Sequence, residues 1–114
     1  MKDCLFCRIV KREIPSEIVY EDEEILAFKD ISPQAPVHLL WISKRHIEGL
    51  DEIAAQDQLL IGKILLKISE YAQKDEELAS GYRVCTNIGL DGGQTVRHLH
   101  FHLLGGKVLE PKMA

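Results

Sequence analysis

Long apolar runs are missing from this chain of 114 residues. Charged residues interrupt the apolar ones near its beginning, as in MKDCLFCRIVKR, so the sequence predicts neither a signal peptide nor a membrane-spanning helix. Internal repeats, low-complexity tracts and linker-like runs of Pro, Gly and Ser are absent as well. We therefore expect a single domain over residues 1–114, a cytoplasmic location and no membrane partner.

An excess of positive charge is also missing. Fourteen Lys and Arg stand against eighteen Asp and Glu, which gives a formal net charge of -4. Such a chain has no general attraction to a polyanion, so we predict no nucleic-acid polymer as a partner. The rest of the composition, 46% apolar and 28% charged, is typical of a globular domain. Any phosphate group that this protein binds must be held by local geometry.

Cysteines are few: Cys4, Cys7 and Cys85. An odd number without a secretory signal favours reduced thiols over a disulfide framework. The first two form a Cys-x-x-Cys pair, which by itself fits a zinc site, a redox motif or small apolar side chains on a short helix. Redox work is the weakest of these, because the pair does not follow a strand in a βαβ pattern. Cys85 lies in a predicted strand and is expected in the core.

The apolar pattern predicts two helices and five strands. A short helix is expected over residues 4–11, and a longer one over residues 54–74, where apolar residues recur at steps of three and four. Apolar or alternating runs bounded by turn residues predict strands at 18–21, 25–30, 37–42, 82–87 and 95–104. This order fits an α+β domain in which helices pack on an antiparallel sheet.

Three histidines alternate with apolar residues in the last predicted strand: His98, His100 and His102. Side chains of a strand alternate between its faces, so these rings should share one face at a spacing of about 6.7 Å. Three imidazoles add little to packing and need hydrogen-bond partners when buried. Spacing alone leaves three alternatives: a metal site, a nucleophile or acid–base cluster, and an incidental histidine face.

The residues around this motif favour a nucleophile or acid–base cluster. A metal site is weakened because the nearest carboxylates are as distant as Asp91 and Glu110. Residues 87–95, directly before the motif, form a glycine-rich turn with amide and hydroxyl side chains. Backbone N–H groups of such a turn can hold phosphate oxygens, although an ordinary hairpin loop has a similar composition.

The segment HLHFHLL at residues 98–104 resembles the His-φ-His-φ-His-φ-φ motif, with φ apolar, of the histidine-triad (HIT) family. Its flanks resemble the Hint branch, in the bacterial type with an N-terminal Cys-x-x-Cys. The similarity extends over DGGQT at 91–95, Gly105-Gly106, residues 28–36, His38 and residues 44–47. It implies a HIT-like α+β fold with a five-stranded antiparallel sheet and two helices, and a homodimer whose sheets join into ten strands.

The resemblance also implies an activity, the hydrolysis of the P–N bond in purine nucleoside 5′-phosphoramidates such as AMP–amine and AMP–lysine conjugates. His100 matches the nucleophile that forms a covalent nucleotidyl intermediate. His98, His102 and His38 match the residues that orient it and bind phosphate oxygens. Thr95 stands where relatives carry serine, close to the leaving group. The chemistry needs no cofactor. Alternatives are a dinucleoside polyphosphate hydrolase, a nucleotide-binding regulatory module with vestigial activity, and a zinc hydrolase.

Further positions match substrate contacts and a metal site of the family. The phosphate loop is matched by Asn87, Gly93 and Gln94, and the purine and ribose pocket by Leu5, Phe6, Ile9, Phe28, Asp30 and Ile31, where Asp30 would accept hydrogen bonds from ribose hydroxyls. Some relatives bind a structural zinc, whose ligands would be Cys4, Cys7, His46 and His98 here. Many Hint members lack both the pair and the metal, so two reduced thiols remain the alternative.

Overall fold

The computed structural model describes residues 4–111. Its helices are α1 (Leu5–Val10) and α2 (Gln58–Lys74), and its strands are β1 (Ile18–Glu21), β2 (Ile25–Lys29), β3 (Val37–Ser43), β4 (Tyr82–Cys85) and β5 (His100–Gly105). Single 3₁₀ turns lie at Leu50–Glu52, Ala55–Asp57 and Glu76–Leu78. The predicted α+β class, with five strands and two helices, is confirmed. Among the described helices, none has the length and apolar character to cross a membrane.

The five strands form one antiparallel sheet in the order β1-β2-β3-β5-β4. The last strand therefore lies inside the sheet, between β3 and β4. Its His100 pairs with Ile42 and its His102 pairs with Leu40, both on β3. On the other side, Cys85 at the end of β4 is the partner of His102. Two histidines of the motif thus stand on a strand that is hydrogen-bonded along both edges.

Both faces of the sheet are covered, and alternation along β5 decides what each residue faces. Phe101 and Leu103 belong to the core cluster that the buried stripe of α2 forms with the sheet. The opposite face carries a second apolar cluster around α1, in which Phe6 is buried. The Phe6 ring meets His100 edge to face at 5.0 Å between centroids. Because side chains of a strand alternate, His100 and His102 lie on the α1 side.

The last strand begins at His100, five residues later than predicted. The preceding backbone bonds elsewhere: the N–H of His98 donates to the carbonyl of Val96 at 2.8 Å, and the N–H of Leu99 donates to the carbonyl of Ile47 at 2.6 Å. His98 therefore precedes the strand instead of belonging to it, but its buried ring still lies on the α1 side, 5.9 Å from the Phe6 ring between centroids. The predicted common face of the three histidines is thus present, and the His98 ring also lies beside His46, at 4.9 Å.

Candidate active site

An apolar cavity of about 240 Å³ lies between α1 and the sheet. Its walls include nine predicted site residues: Leu5, Phe6, Ile9, Phe28, Asp30, Ile31, Thr95, His100 and His102. Sequence reasoning missed other wall residues, among them Ile14, Pro15, Ser16, Leu40 and Val96. Residues 14–16 lie between α1 and β1, and an apolar residue beside a proline is a weak sequence signal for a binding site. Ile31 stands at the rim, 93% exposed.

A polar cavity of about 480 Å³ adjoins the apolar one. The two share Asp30, Thr95, His100 and His102 as common wall. The polar side adds Ser32, Gln34, His38, Cys85, Asn87, Gly93 and Leu104. Cys85, which we expected in the core, is half-buried and lines this cavity because its strand partner is His102. The histidines therefore stand at the junction of an apolar and a polar compartment.

His100 has a defined proton position. Its Nδ1 lies 2.6 Å from the carbonyl oxygen of His98, and a carbonyl can only accept, so Nδ1 carries the proton. In a neutral ring the lone pair is then on Nε2, which makes no hydrogen bond to another described residue. The residue is 5% exposed. The structure thus presents one buried imidazole whose free nitrogen is a potential nucleophile.

His102 has the opposite tautomer, because a chain of hydrogen bonds reaches it. The backbone N–H of Gln34 donates to Nδ1 of His38 at 3.1 Å, so a neutral His38 carries its proton on Nε2. This Nε2–H donates to Nδ1 of His102 at 2.9 Å, which places the His102 proton on Nε2. The rings of His100 and His102 are 5.2 Å apart. The ring of His100, with a lone pair on Nε2, therefore stands beside the ring of His102, with an N–H donor at Nε2.

The imidazole rings of four histidines, His38, His98, His100 and His102, are held neutral by their surroundings. Burial lowers the pKa of His98 to about 4 and that of His102 to about 4, and in His102 the neighbouring His100 and His38 add to the effect. Burial also lowers the pKa of His100. In His38 burial lowers the pKa although the carboxylate of Asp30, 3.4 Å from its Nε2, opposes the shift. Crowded, desolvated imidazoles resist protonation, so these rings are uncharged near neutral pH.

The glycine-rich loop brings only part of its predicted residues to the cavity. Asn87 reaches the wall and its Nδ2 also donates to the carbonyl of Gly92 at 2.9 Å, which braces the turn. Gly93 lines the cavity with φ of 81°, a left-handed conformation that suits glycine. Gln94 is not among the described wall residues: its Oε1 accepts the N–H of Gly89 at 2.9 Å. The Gln94 amide is thus engaged within the protein.

A second cluster gathers Cys4, Cys7, His46 and His98, whose ligand atoms all lie within 4.8 Å of one another. Sγ of Cys4 is 3.3 Å from Nδ1 of His98, and Sγ of Cys7 is 3.3 Å from Nδ1 of His46. In a tetrahedral zinc site, sulfur and nitrogen ligands stand about 3.5 Å apart, given Zn–S near 2.3 Å and Zn–N near 2.0 Å. The spacing matches that geometry.

The hydrogen bonds of this Cys/His cluster also suit a metal. Nε2 of His98 lies 2.7 Å from the carbonyl oxygen of Ser43, so it carries the proton and leaves a lone pair on Nδ1 toward the cysteines. Burial and the neighbouring Cys4 thiol raise the pKa of Cys7 to about 11, so an ion must displace a proton to bind its sulfur. The four residues could hold one tetrahedral metal ion.

A third group, Asp30, His38 and His102, also has ligand atoms within 4.8 Å of one another. Its hydrogen bonds oppose a metal. A histidine that binds a metal through one nitrogen donates from the other, but Nδ1 of His38 accepts from the N–H of Gln34. The His38 and His102 nitrogens are 2.9 Å apart, closer than the roughly 3.3 Å of two tetrahedral nitrogen ligands. The geometry therefore favours nucleophilic and acid–base chemistry over a metal site.

Comparison with known proteins places the fold. The family model described as scavenger mRNA decapping enzyme, C-terminal binding, matches residues 3–113. A HIT family hydrolase from Legionella pneumophila superposes with a TM-score of 0.94 at 44% identity, covering 98% of this chain and 100% of that one. One from Clostridium thermocellum gives 0.94 at 46% identity, covering 100% and 99%. Fold and histidine cluster together define a protein of the HIT class.

Sequence relatives agree with this class. The chain belongs to the histidine-triad family, as its motif predicted. It is 40% identical to the purine nucleoside phosphoramidase of Escherichia coli over 113 residues, which cover 99% of this chain and 95% of that protein. It is 52% identical to an uncharacterized HIT-like protein of Synechococcus elongatus over 108 residues, which cover 95% and 94%.

Proposed function

We propose that the protein is a purine nucleoside phosphoramidase, which hydrolyses nucleoside 5′-phosphoramidates through a nucleotidyl group on His100. The observation that carries the proposal is the bond from Nδ1 of His100 to the carbonyl of His98, which leaves Nε2 free where the two cavities meet. The likeness to the phosphoramidase of Escherichia coli supports this choice among HIT activities.

The two cavities suggest how such a substrate lies. The apolar cavity suits a purine base, since Leu5, Phe6 and Ile9 of α1 supply one wall. Asp30 lies on the shared wall and one of its oxygens accepts the N–H of Ser32 at 2.8 Å, which orients the carboxylate toward ribose hydroxyls. The polar cavity, which the glycine-rich loop helps to line, then receives the phosphate and the leaving amine.

The reaction follows from the two tautomers. Nε2 of His100 attacks the α-phosphorus, a P–N bond forms to the ring, and the substrate's own P–N bond breaks with its electron pair on the amine. The amine takes up a proton from solvent as it leaves, while Nε2–H of His102 and the Thr95 hydroxyl stand near the reacting phosphate as hydrogen-bond donors. Water then attacks the phosphorus, its proton passes to solvent, and the bond from phosphorus to His100 breaks, which releases AMP and the neutral ring.

The direct test is to trap the intermediate. Protein mixed with adenosine 5′-phosphoramidate and quenched in base, where phosphohistidine-type bonds survive, should carry one adenylyl group, and fragmentation should place it on His100. Free AMP and ammonia should accumulate in equal amounts. Turnover without any labelled histidine would indicate direct attack by water and would remove the covalent mechanism.

We expect kcat/KM to stay nearly constant from about pH 8 to below the ordinary histidine pKa of about 6.5. The active forms of His100 and His102 are neutral, and burial lowers both pKa values, that of His102 to about 4. Activity is therefore complete above these pKa values and is lost as the pH falls through them. Initial rates with adenosine 5′-phosphoramidate, corrected for hydrolysis without enzyme, measure the profile. An acid limb centred at or above pH 6.5 would contradict neutral, buried rings.

We further propose that the Cys/His cluster binds a structural zinc ion and that two chains form a homodimer. For the dimer, α2 exposes apolar side chains on one face: Leu59 is 89% exposed, Leu66 is exposed, and no described atom lies near a Cβ built at Gly62 between them. The edge strand β4 exposes Val84. Exposed apolar side chains and an edge strand are both typical of a subunit interface, and pairing of two β4 edges would give ten strands.

Leu66→Glu is expected to convert the protein to a monomer, because a carboxylate would be buried in the proposed interface. Leu90→Glu is the matched control, since Leu90 is an equally apolar, highly exposed residue on the glycine-rich loop. Sedimentation velocity at about 10 µM should show a dimer for the parent and the control. A monomeric parent at that concentration would remove the dimer from this account.

A further inference from the structure

A polar network outside the cavities joins two distant segments of the chain. The guanidinium of Arg97 donates through Nη1 to Oε1 of Gln94 at 2.7 Å. Its Nη2 lies 3.2 Å from Oδ2 of Asp51, and its Nε lies 3.5 Å from Oε1 of Glu48. We call these four residues, Arg97, Gln94, Glu48 and Asp51, the loop latch. It connects residues 86–99, the connection from β4 to β5 that contains the glycine-rich loop, to the segment that follows β3.

Gln94 is the centre of the latch. Its Oε1 accepts from Gly89 as well as from Arg97, and its Nε2 donates to the carbonyl of Glu48 at 2.8 Å. The backbone N–H of Gln94 donates to the carbonyl of Gly89 at 2.9 Å. The amide therefore ties two points of the loop to each other and to the neighbouring segment. No part of this network involves the four histidines.

The latch determines where cavity residues stand. Gly93 and Thr95, the two neighbours of Gln94 in the chain, both line the polar cavity. The loop that carries them lies outside β4 and β5, so strand pairing does not hold it. A surface loop of this kind is mobile unless specific contacts order it. Groups that bind phosphate act best when they are already in place before the substrate arrives.

Gly49 gives independent support, because the latch occupies the space of its missing side chain. A Cβ at this position would lie 3.0 Å from Nη1 of Arg97, 3.1 Å from Oδ1 of Asp51 and 3.2 Å from Nε2 of Gln94. The φ of Gly49 is 175°, extended backbone that any residue adopts. Glycine at this position thus leaves space for the side chains of the latch, and its backbone flexibility is not needed.

We propose that Arg97 is a positioning residue: acting through Gln94, it holds Gly93 and Thr95 against the phosphate end of the cavity. Its effect on turnover rests on the proposed phosphoramidase function, whereas its effect on loop order does not. A planar guanidinium can meet one amide oxygen and two carboxylates at once, which a lysine ammonium on a flexible stem does less well. The contribution to global stability is small, since the ion pairs are exposed.

Three variants test the proposal, with one control. In Arg97→Ala and Gly49→Ala we expect kcat/KM for adenosine 5′-phosphoramidate to fall about three- to tenfold and the Kd of AMP to rise by a similar factor. Arg97→Lys should give an intermediate value. Arg8→Ala should match the parent, because Arg8 on α1 forms a comparably exposed pair with Glu13, 3.5 Å away and outside the latch. Unfolding temperatures should stay within a few degrees of the parent.

Hydrogen exchange separates this proposal from the proposed function. The amides of Gly89 and Gln94 are both hydrogen-bonded in the loop, and they should exchange faster in Arg97→Ala and Gly49→Ala but not in Arg8→Ala. Faster exchange in a protein that has no phosphoramidase activity would uphold the latch and reject the function. Parent-like exchange, or faster exchange with unchanged AMP affinity and kcat/KM, would overturn the positioning role of Arg97.

Discussion

Replacing His100 by Ala is expected to lower kcat/KM for adenosine 5′-phosphoramidate by about 10⁴-fold or more. Nε2 of this ring is the free nitrogen at the junction of the two cavities, and its loss removes the covalent route entirely. AMP should still bind, because the apolar cavity and Asp30 remain. Steady-state rates, together with AMP titration, separate the loss of chemistry from a loss of binding.

A second variant keeps this test meaningful if the Ala protein folds poorly, since the ring is buried. In His100→Asn the side-chain amide can still donate to the carbonyl of His98, as Nδ1 does in the parent, but it offers no nucleophile. Added imidazole should partly restore turnover in the Ala variant by occupying the vacated space. A folded Asn variant that hydrolyses the substrate at the parent rate would defeat the proposed mechanism.

Replacing Cys7 by Ser is expected to abolish zinc binding and to lower the unfolding temperature by about 10 °C or more. The proposed ion joins α1 to His46 after β3 and to His98 before β5, so its loss would release three segments at once. Cys85→Ser is the matched control, because Cys85 lies outside the cluster and should leave zinc content and unfolding temperature near those of the parent. Elemental analysis and calorimetry make both measurements.

Protein purified without added zinc should contain about one ion per chain, and far less than that would remove the proposed site. Chelation should lower stability more than it lowers the attack step, because the His100 lone pair does not depend on a metal. The larger kinetic change should be in KM, since Leu5, Phe6 and Ile9 of α1 line the apolar cavity. Immediate and complete loss of kcat on chelation would instead favour a zinc hydrolase.

The sequence predicted helices and strands well where periodicity is local. The stripe of α2 and the hairpin of β1 and β2 depend on neighbouring residues, and both are present. The start of β5 was placed five residues early, because alternation of His98, Leu99 and His100 continues past the end of the sheet pairing. The backbone there ends up bonded to Ile47, a partner that no local pattern reveals.

The candidate site also contains residues that the sequence motif identified and residues whose contacts depend on tertiary packing. The motif identified His100 and His102, and both reach the cavity junction. Gln94, which matches a substrate contact of the family, donates from its side-chain amide to the carbonyl of Glu48, 46 positions earlier in the chain. Ser16 in the apolar wall had no signal beyond its place after a proline. Side chains far apart in sequence compete for the same polar atoms, and only their packing decides the partners.

By itself the sequence determined the α+β class and the order of elements, which follow from residue type and spacing, and the family, which follows from the resemblance of its histidine motif. The tertiary structure alone decided which nitrogen of each histidine carries a proton, because the carbonyls of His98 and Ser43 and the N–H of Gln34 choose it. Those contacts also distinguish the Cys/His cluster, which suits a metal, from the Asp30 group, which does not. Proton positions depend on directed contacts in three dimensions, and residue spacing carries no record of them.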